Sequence, residues 1–219
     1  MSQVQTIFKN MSWLFISQIV ASVCAFIWTV LMARYLGVTK YGIFGFATSL
    51  TAILMVTTDL GLNTHIVRHI ATDYDSAPKY LGNAIPLKCI FGVGTMILTL
   101  IILIIMKTDE LTFTVTLLFT IEMVLKTLTY LLNGSFQAFE EGKYQGIENT
   151  LLHVILLIFI LITIFFDFDL IGITISYILA NAIAFAYAYY ALEKHVTKPK
   201  FELDLAFCKQ ITIDRKSVV

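Results

Sequence analysis

The sequence predicts an all-α, polytopic membrane protein with six membrane-spanning helices. Hydrophobic residues make up 58% of its 219 residues and charged residues only 14%, against roughly half and about a quarter in soluble domains. The mean hydropathy of +0.83 comes from long apolar runs, and about 20 apolar helical residues cross the hydrocarbon of a bilayer. One small soluble core cannot hold this excess, so the class is a membrane protein.

Six apolar runs bounded by charged or turn-forming residues are predicted to span the membrane. They are numbered spans one to six and cover residues 12–32, 41–58, 84–106, 111–132, 149–166 and 170–192. Short connections join spans one and two, three and four, and five and six, and short connections require antiparallel pairs. Residues 59–83 form the longest connection, in which Asp59 is expected to cap the segment that follows.

Lysine and arginine are distributed unevenly between the two sides of the membrane. Eight of these residues fall on the side of the chain ends, with Lys88 counted in the connection that it borders, and three fall on the opposite side. Cytoplasmic connections carry the excess of positive charge in membrane proteins. Both termini are therefore predicted to lie in the cytoplasm, and the protein to lie in the cytoplasmic membrane.

Charge and cysteine content exclude several classes of function. The 15 basic and 15 acidic residues balance, so no basic surface for nucleic acid is expected. The three cysteines match no metal-ligand spacing, and the sequence contains no glycine-rich nucleotide loop or nucleophile elbow. We therefore expect no cofactor, no metal, no nucleic-acid partner and no enzymatic activity.

Span four carries a stripe of polar residues at Glu122, Lys126, Thr129 and Asn133. Spacings of three and four residues place them on one helix face, and the order of acid before base favours a helical ion pair. An ionisable side chain in hydrocarbon costs about 2.5 to 3.5 kcal/mol and normally faces the bundle interior or a water-filled cavity. Two interpretations stay open: the charges neutralise each other and lock span four into the bundle, or the stripe lines a substrate cavity.

Other polar residues in or beside the spans are further candidates for binding. Gln18 in span one and Lys88 at the start of span three are assigned to the same cavity, although helix packing is the commoner role of polar residues between spans. Arg34 and Arg68 are candidates for contact with a phosphate head group, with anchoring at the membrane surface as the alternative. His153, near the start of span five, is interpreted as a hydrogen-bonded interface residue, with proton transfer as the alternative.

Span six carries small residues at every fourth position. The ladder consists of Gly172, Ser176, Ala180, Ala184 and Ala188. Small residues let membrane helices approach closely, so this face is predicted to pack against another helix and not to bind a ligand.

Four segments of the sequence look like parts of a known family. They are ARYLGVTKYGIFGFATSL (33–50), TDLGLNTHIVRHIA (58–71), GSFQAFEEGKYQGIENTL (134–151) and KPKFELDL (198–205). They resemble the oligosaccharide flippases of polysaccharide biosynthesis, which share a superfamily with the multidrug and toxin extrusion (MATE) transporters. The resemblance implies two six-helix lobes around a central cavity, of which residues 1–192 are the N-terminal lobe.

The function implied by the resemblance is export of a lipid-linked oligosaccharide across the cytoplasmic membrane, with membrane lipids and a second lobe as the other partners. A cation-coupled multidrug exporter is the first alternative, but the FQAFE stretch and the residues around YLG favour the polysaccharide branch. A membrane enzyme of glycan assembly is the second. It is disfavoured because such an enzyme is expected to hold its catalytic residues in a sizeable external loop, and the external connections here are short. A membrane scaffold without transport activity is disfavoured by the intramembrane charges of Glu122 and Lys126.

The last part of the chain is predicted to lie outside the six-helix bundle. Residues 193–213 are expected to form a cytoplasmic connector toward the second lobe. The final residues, DRKSVV, are encoded by GATCGGAAGAGCGTCGTG in one reverse translation, which is the sequence of a common sequencing adapter. Residues 214–219 are therefore interpreted as an artefact of a truncated gene assembly.

Overall fold

The computed structural model describes residues 3–59 and 62–200, and every regular element in these ranges is a helix. The elements are α1 (Gln3–Asp59), α2 (Leu62–Thr72), one 3-10 turn (Tyr74–Ser76), α3 (Ala77–Met106), α4 (Glu110–Ala138), α5 (Gly142–Phe165) and α6 (Asp169–His195). Within the described ranges, five helices, all except α2, are long and apolar enough to cross a membrane. The predicted all-α, polytopic membrane fold is confirmed.

The helix α1 consists of two membrane spans that meet at Gly37, where the backbone (φ 66°, ψ 178°) is not helical. Residues on both sides of this break reach the same ring. The centroid of Tyr177 lies 6.3 Å from that of Trp28 and 5.8 Å from that of Phe44, whereas a straight helix would separate Trp28 from Phe44 by about 24 Å. The chain therefore reverses at Gly37, which yields the predicted spans one and two and six spans in the described part of the chain.

Two connections are shorter than predicted, because helices continue beyond their apolar runs. Helix α4 ends at Ala138 and α5 begins at Gly142, so the predicted connection at 133–148 shrinks to residues 139–141. The predicted connection at 59–83 contains α2, the 3-10 turn and the start of α3. Hydropathy marks where a helix leaves the hydrocarbon, whereas its hydrogen bonds continue into the polar interface.

Helix α2 is a short amphipathic helix that the apolar pattern did not reveal. Its residues Ile66 and Ile70 are fully buried in a cluster that includes Leu131 and Phe136 of α4. Arg68 lies on the opposite, exposed face. This helix therefore covers one end of the bundle and does not cross the membrane.

The bundle is closely packed inside and apolar outside. The small residues of span six lie on a buried face, with Ala180, Ala184 and Ala188 at most 1% exposed, which confirms the packing face. Large apolar side chains on the outer surface are exposed, among them Ile105 and Phe165. An exposed apolar surface on helices of this length is the surface that lipid covers.

The chain after α6 turns back toward the beginning of α3. The backbone N–H of Lys200 donates a 3.0 Å hydrogen bond to the carbonyl oxygen of Pro78. The remainder of the predicted connector, residues 201–213, and the interpreted artefact at 214–219 lie outside the described residues.

Candidate functional site

A polar cavity of about 370 Å³ lies inside the bundle, between α1, α4, α5 and α6. The whole polar stripe predicted on span four lines it, namely Glu122, Lys126, Thr129 and Asn133. The other polar or aromatic side chains on its wall are Trp28, Tyr130, Glu148, Asn149, His153, Tyr177 and Asn181. Four helices thus bring ionisable, amide and aromatic groups together around one space in the membrane-spanning part of the protein.

The hydrogen bond that holds Glu122 comes from a neighbouring helix, while Lys126 acts on it only through the attraction of opposite charges. The side-chain amide of Asn181 on α6 donates a 3.0 Å hydrogen bond to the Glu122 carboxylate, and both residues are buried. Lys126 is exposed to the cavity, and among the described residues it forms no hydrogen bond and no ion pair within 4.0 Å. The two side chains therefore form no direct ion pair, although their charges attract each other, and the ammonium group of Lys126 has no hydrogen-bond partner in the described part of the chain.

A second, smaller cavity of about 100 Å³ adjoins the first at Glu122, Lys126 and Tyr177. Thr48 and Thr51, from the second span of α1, form its opposite wall. The carboxylate and the ammonium group therefore lie between two cavities, within reach of groups from both halves of α1.

Glu148 belongs to the site, although the apolar pattern assigns it to the connection between spans four and five. It is 3% exposed, and its carboxylate accepts a 2.8 Å hydrogen bond from the amide nitrogen of Asn133. Its position follows from the close approach of α5 to α1: a Cβ at Gly146 would lie 3.1 Å from the carbonyl oxygen of Trp13. A small residue at this point lets the two helices touch, and Glu148 turns into the bundle.

Aromatic rings line the wall formed by α1, α5 and α6. The His153 ring stacks on Trp28 with centroids 5.3 Å apart and planes 20° apart, and its Nδ1 lies 2.8 Å from the carbonyl oxygen of Asn149. Tyr177 meets Trp28 edge to face. The hydrogen bond expected for His153 is present, and its ring lies against Trp28.

Lys88 does not reach this cavity. It lies inside α3 and is fully buried, with its ammonium group 2.7 Å from the Asp59 carboxylate and 3.4 Å from the carbonyl oxygen of Thr127. Asp59 therefore supplies the counter-charge that a buried ammonium group requires, and its capping of the next helix stays a prediction. Because Lys88 is buried inside α3, it no longer counts as a charge in a connection. Seven basic residues then lie on the side of the chain ends, against three on the opposite side.

Gln18 also lies away from the cavity. Its side chain is exposed and lies 3.5 Å from the Ser22 hydroxyl on the same helix. The buried face of this span runs instead through Ser17, Ala21 and Trp28. Gln18 therefore lies neither on the cavity wall nor on the buried face of this span.

Arg34 and Arg68 lie outside the cavity, and their contact with phosphate head groups stays a prediction. Both side chains are exposed. The reversal at Gly37 is linked to the beginning of α6, since Lys40 pairs with Asp169 at 2.5 Å.

A larger cavity, of about 510 Å³, lies between α5 and α6 and is lined mostly by apolar side chains. Its two hydroxyl groups, on Thr163 and Ser176, lie 2.9 Å apart and bond to each other. This cavity therefore has room for a ligand but provides almost no polar contact. The polar cavity is the candidate functional site.

Six spans around a polar cavity with an unpaired ammonium group form an architecture that is also found in the lobes of membrane transporters. The chain belongs to a family described as polysaccharide biosynthesis proteins, whose sequence model matches residues 7–213. No curated protein matches the chain in sequence.

Two solved transporters share the fold. An outward-facing multidrug resistance MATE family transporter of the MOP superfamily aligns with a TM-score of 0.74 at 15% identity, covering 99% of this chain and 55% of its own. A mutant of the Vibrio cholerae MATE transporter VcmN aligns with a TM-score of 0.67 at 18% identity, covering 95% of this chain and 52% of its own. The chain thus has the fold of one half of these transporters and spans about half of their length.

Proposed function

We propose that this chain is the N-terminal lobe of a flippase that exports a lipid-linked oligosaccharide across the cytoplasmic membrane. The observation that carries the proposal is the unpaired ammonium group of Lys126 in a polar cavity of a polysaccharide biosynthesis protein. A lysine at membrane depth is costly and marks a pathway for a charged or polar substrate. Lysine binds phosphate as a point charge, and the phosphate of a lipid carrier supplies the matching anion.

The stripe on α4 supports the cavity interpretation over mutual neutralisation. Glu122 is bonded to Asn181, so its carboxylate sets the position of α6 and reduces the local charge without covering Lys126. The exposed edge of the cavity is formed by Lys126 and Tyr130. A second lobe facing this edge would enclose the cavity and allow alternating access, in which the lobes rock around a central binding site.

A cation-coupled multidrug exporter is the second candidate. Two buried carboxylates, Glu122 and Glu148, line the same cavity, and acidic residues inside transporters often relay protons. The ammonium group of Lys126 opposes this function, since it repels a cationic substrate from the same space.

The test replaces Glu122 and Lys126 in the gene that encodes both proposed lobes. The variants are expressed in a flippase-deficient strain. We expect the double variant Glu122→Leu with Lys126→Met to insert normally and to lose glycan export, Lys126→Arg to keep part of it, and Lys126→Glu to keep none. Lys107→Met, which removes an exposed lysine between α3 and α4, is the matched control. Normal export by the double variant at equal expression would refute the cavity role. Loss of drug resistance with intact glycan export would favour the second candidate.

A further inference from the structure

We infer that the end of the cavity formed by Asn133, Glu148 and Asn149 binds the hydroxyl groups of a sugar ring, at a subsite separate from Lys126. This inference rests on the proposed flippase function, in which the phosphate of the same substrate lies at Lys126. It assigns a second ligand contact, of different chemistry, to the opposite end of the cavity.

The geometry of Asn133 supplies the first argument. Its amide nitrogen donates to Glu148 at 2.8 Å, which fixes the orientation of the amide. Its Oδ1 atom is then buried without a hydrogen-bond partner among the described residues. A buried carbonyl oxygen without a donor is unfavourable, so this atom favours a ligand that brings a donor.

The neighbouring groups add further acceptors. An ionised Glu148 carboxylate only accepts hydrogen bonds, while the Asn149 side chain both donates and accepts. His153 uses Nδ1 on its own helix, which leaves Nε2 without a partner in the described part of the chain. A hydroxyl group both donates and accepts, and a sugar ring carries several hydroxyl groups at fixed spacing.

The separation from Lys126 explains why the two ends suit one ligand. Lys126 and Asn133 lie two helical turns apart on α4, about 10 Å along the helix axis. One end carries the ammonium group of Lys126 beside the bonded Glu122 carboxylate, and the other is rich in acceptors and contains the Glu148 carboxylate. A second phosphate is repelled from the Glu148 end, and an organic cation is repelled by Lys126. A sugar joined to a phosphate matches both ends.

The chain contains a natural reporter for this experiment. It has two tryptophans: Trp28 lines the cavity, and Trp13 lies outside it and is 36% exposed. In a Trp13→Phe background, the fluorescence of the full chain in lipid nanodiscs therefore reports on the cavity alone. The probes are neutral methyl glycosides of hexoses, inorganic pyrophosphate and tetramethylammonium.

The central variant is Glu148→Gln, because glutamine keeps an acceptor for Asn133 and replaces the second carboxylate oxygen with a donor. We expect it to weaken binding of methyl glycosides about tenfold or more, as the loss of a hydrogen bond to a charged group does, and to leave pyrophosphate binding as tight or tighter. Lys126→Met is expected to do the reverse. Glu141→Gln makes the same change of charge at an exposed residue before α5 and is expected to change neither. Asn149→Leu, at a half-buried residue, tests the subsite independently.

The outcomes separate the two proposals. Any one of three results would overturn the sugar subsite. The wild-type chain could fail to respond to glycosides, or Glu148→Gln could bind glycosides as tightly as the wild type does. The third such result is a stronger response to tetramethylammonium than to glycosides. Failure of the wild type to bind pyrophosphate while glycosides bind would count against the phosphate role of Lys126 and would support the subsite.

Discussion

The Asn181 amide on α6 and the Glu122 carboxylate on α4 form a buried hydrogen bond of 3.0 Å between two membrane spans. Asn181 also donates to the carbonyl oxygen of Tyr177 one turn earlier, again at 3.0 Å. The amide is thus satisfied within the bundle, and the carboxylate is fixed by a group that carries no charge. This arrangement leaves Lys126 without a direct ion pair and ties the cavity wall of α4 to α6.

Replacement of Asn181 by leucine is expected to destabilise the bundle, because it leaves a buried carboxylate without its donor. The expected loss in free energy of unfolding is about 1 to 3 kcal/mol, measured by denaturant titration in detergent micelles. Glu122→Gln, which keeps a hydrogen bond between two amides, should lose less. If Asn181→Leu and Glu122→Leu combine additively in a double-mutant cycle, the two side chains are not coupled and this prediction is wrong.

The buried pair of Lys88 and Asp59 gives a prediction with a surface pair as its control. Asp59→Leu leaves the fully buried Lys88 without a counter-charge and is expected to cost about 3 kcal/mol or more of unfolding free energy. The double variant with Lys88→Met should recover most of that loss, because apolar replacement of a buried pair is often neutral. Glu193→Gln, which breaks an exposed pair with Lys198, should cost less than about 1 kcal/mol. Equal instability of the single and double Asp59 variants would contradict this account.

The six spans were predictable because hydropathy reports the solvent around a helix, and lipid selects long apolar runs wherever they occur. The extensions of α4 and α5 were not predictable in this way, since their ends are polar and lie beyond the hydrocarbon. Helix α2 was missed for the same reason: it packs through a few apolar residues, among them Ile66, Val67 and Ile70, and polar residues between them prevent an apolar run of span length. The reversal at Gly37 was placed in the correct connection, but its backbone conformation is a local property that no periodicity reveals.

The candidate site was half predictable from the sequence. The stripe on α4 follows from helical spacing within one span, so Glu122, Lys126, Thr129 and Asn133 were found together. Partners on other helices depend on how the spans rotate against one another, which spacing within one span does not determine. Asn181 directly follows Ala180 of the small-residue ladder, and Glu148 lies two residues after Gly146. Small residues typical of helix packing are therefore close in sequence to both missed residues.

The small size of Gly82 on α3 is predicted to let the chain segment that follows α6 pack against this helix. A Cβ at this position would overlap the carbonyl oxygen of Lys200, so Gly82→Val has to displace residues 196–200 from α3. The displaced segment should be cut by trypsin after Lys200 several times faster, because protease access follows local opening. Gly94→Val, on the same helix with open space around it, is the control. Equal cleavage of the two variants would show that the contact does not restrain the segment.

The predicted orientation is testable at the reversal of α1. Val38 is 92% exposed beside Gly37, whereas Lys143 lies in the first turn of α5, at the opposite end of the bundle. In a chain with its native cysteines replaced, Val38→Cys should react in intact cells with a membrane-impermeant thiol reagent, and Lys143→Cys should react only after permeabilisation. The opposite pattern would place both termini outside the cytoplasm.

Replacement by alanine is expected to change the free energy of unfolding in opposite directions at Gly37 and at Gly42. Gly37 adopts φ 66° and ψ 178°, a region open essentially to glycine alone, so Gly37→Ala is expected to cost about 1 to 3 kcal/mol of unfolding free energy. The space around it is open, which means that any loss arises from the backbone and not from a clash. Gly42, five residues later in the helix, also has open space around it, and Gly42→Ala should stabilise the protein by about 0.5 to 1 kcal/mol through helix propensity. Unfolding of both variants in the same detergent measures the difference, and equal stabilisation by the two would mean that the chain reverses without the left-handed residue at Gly37.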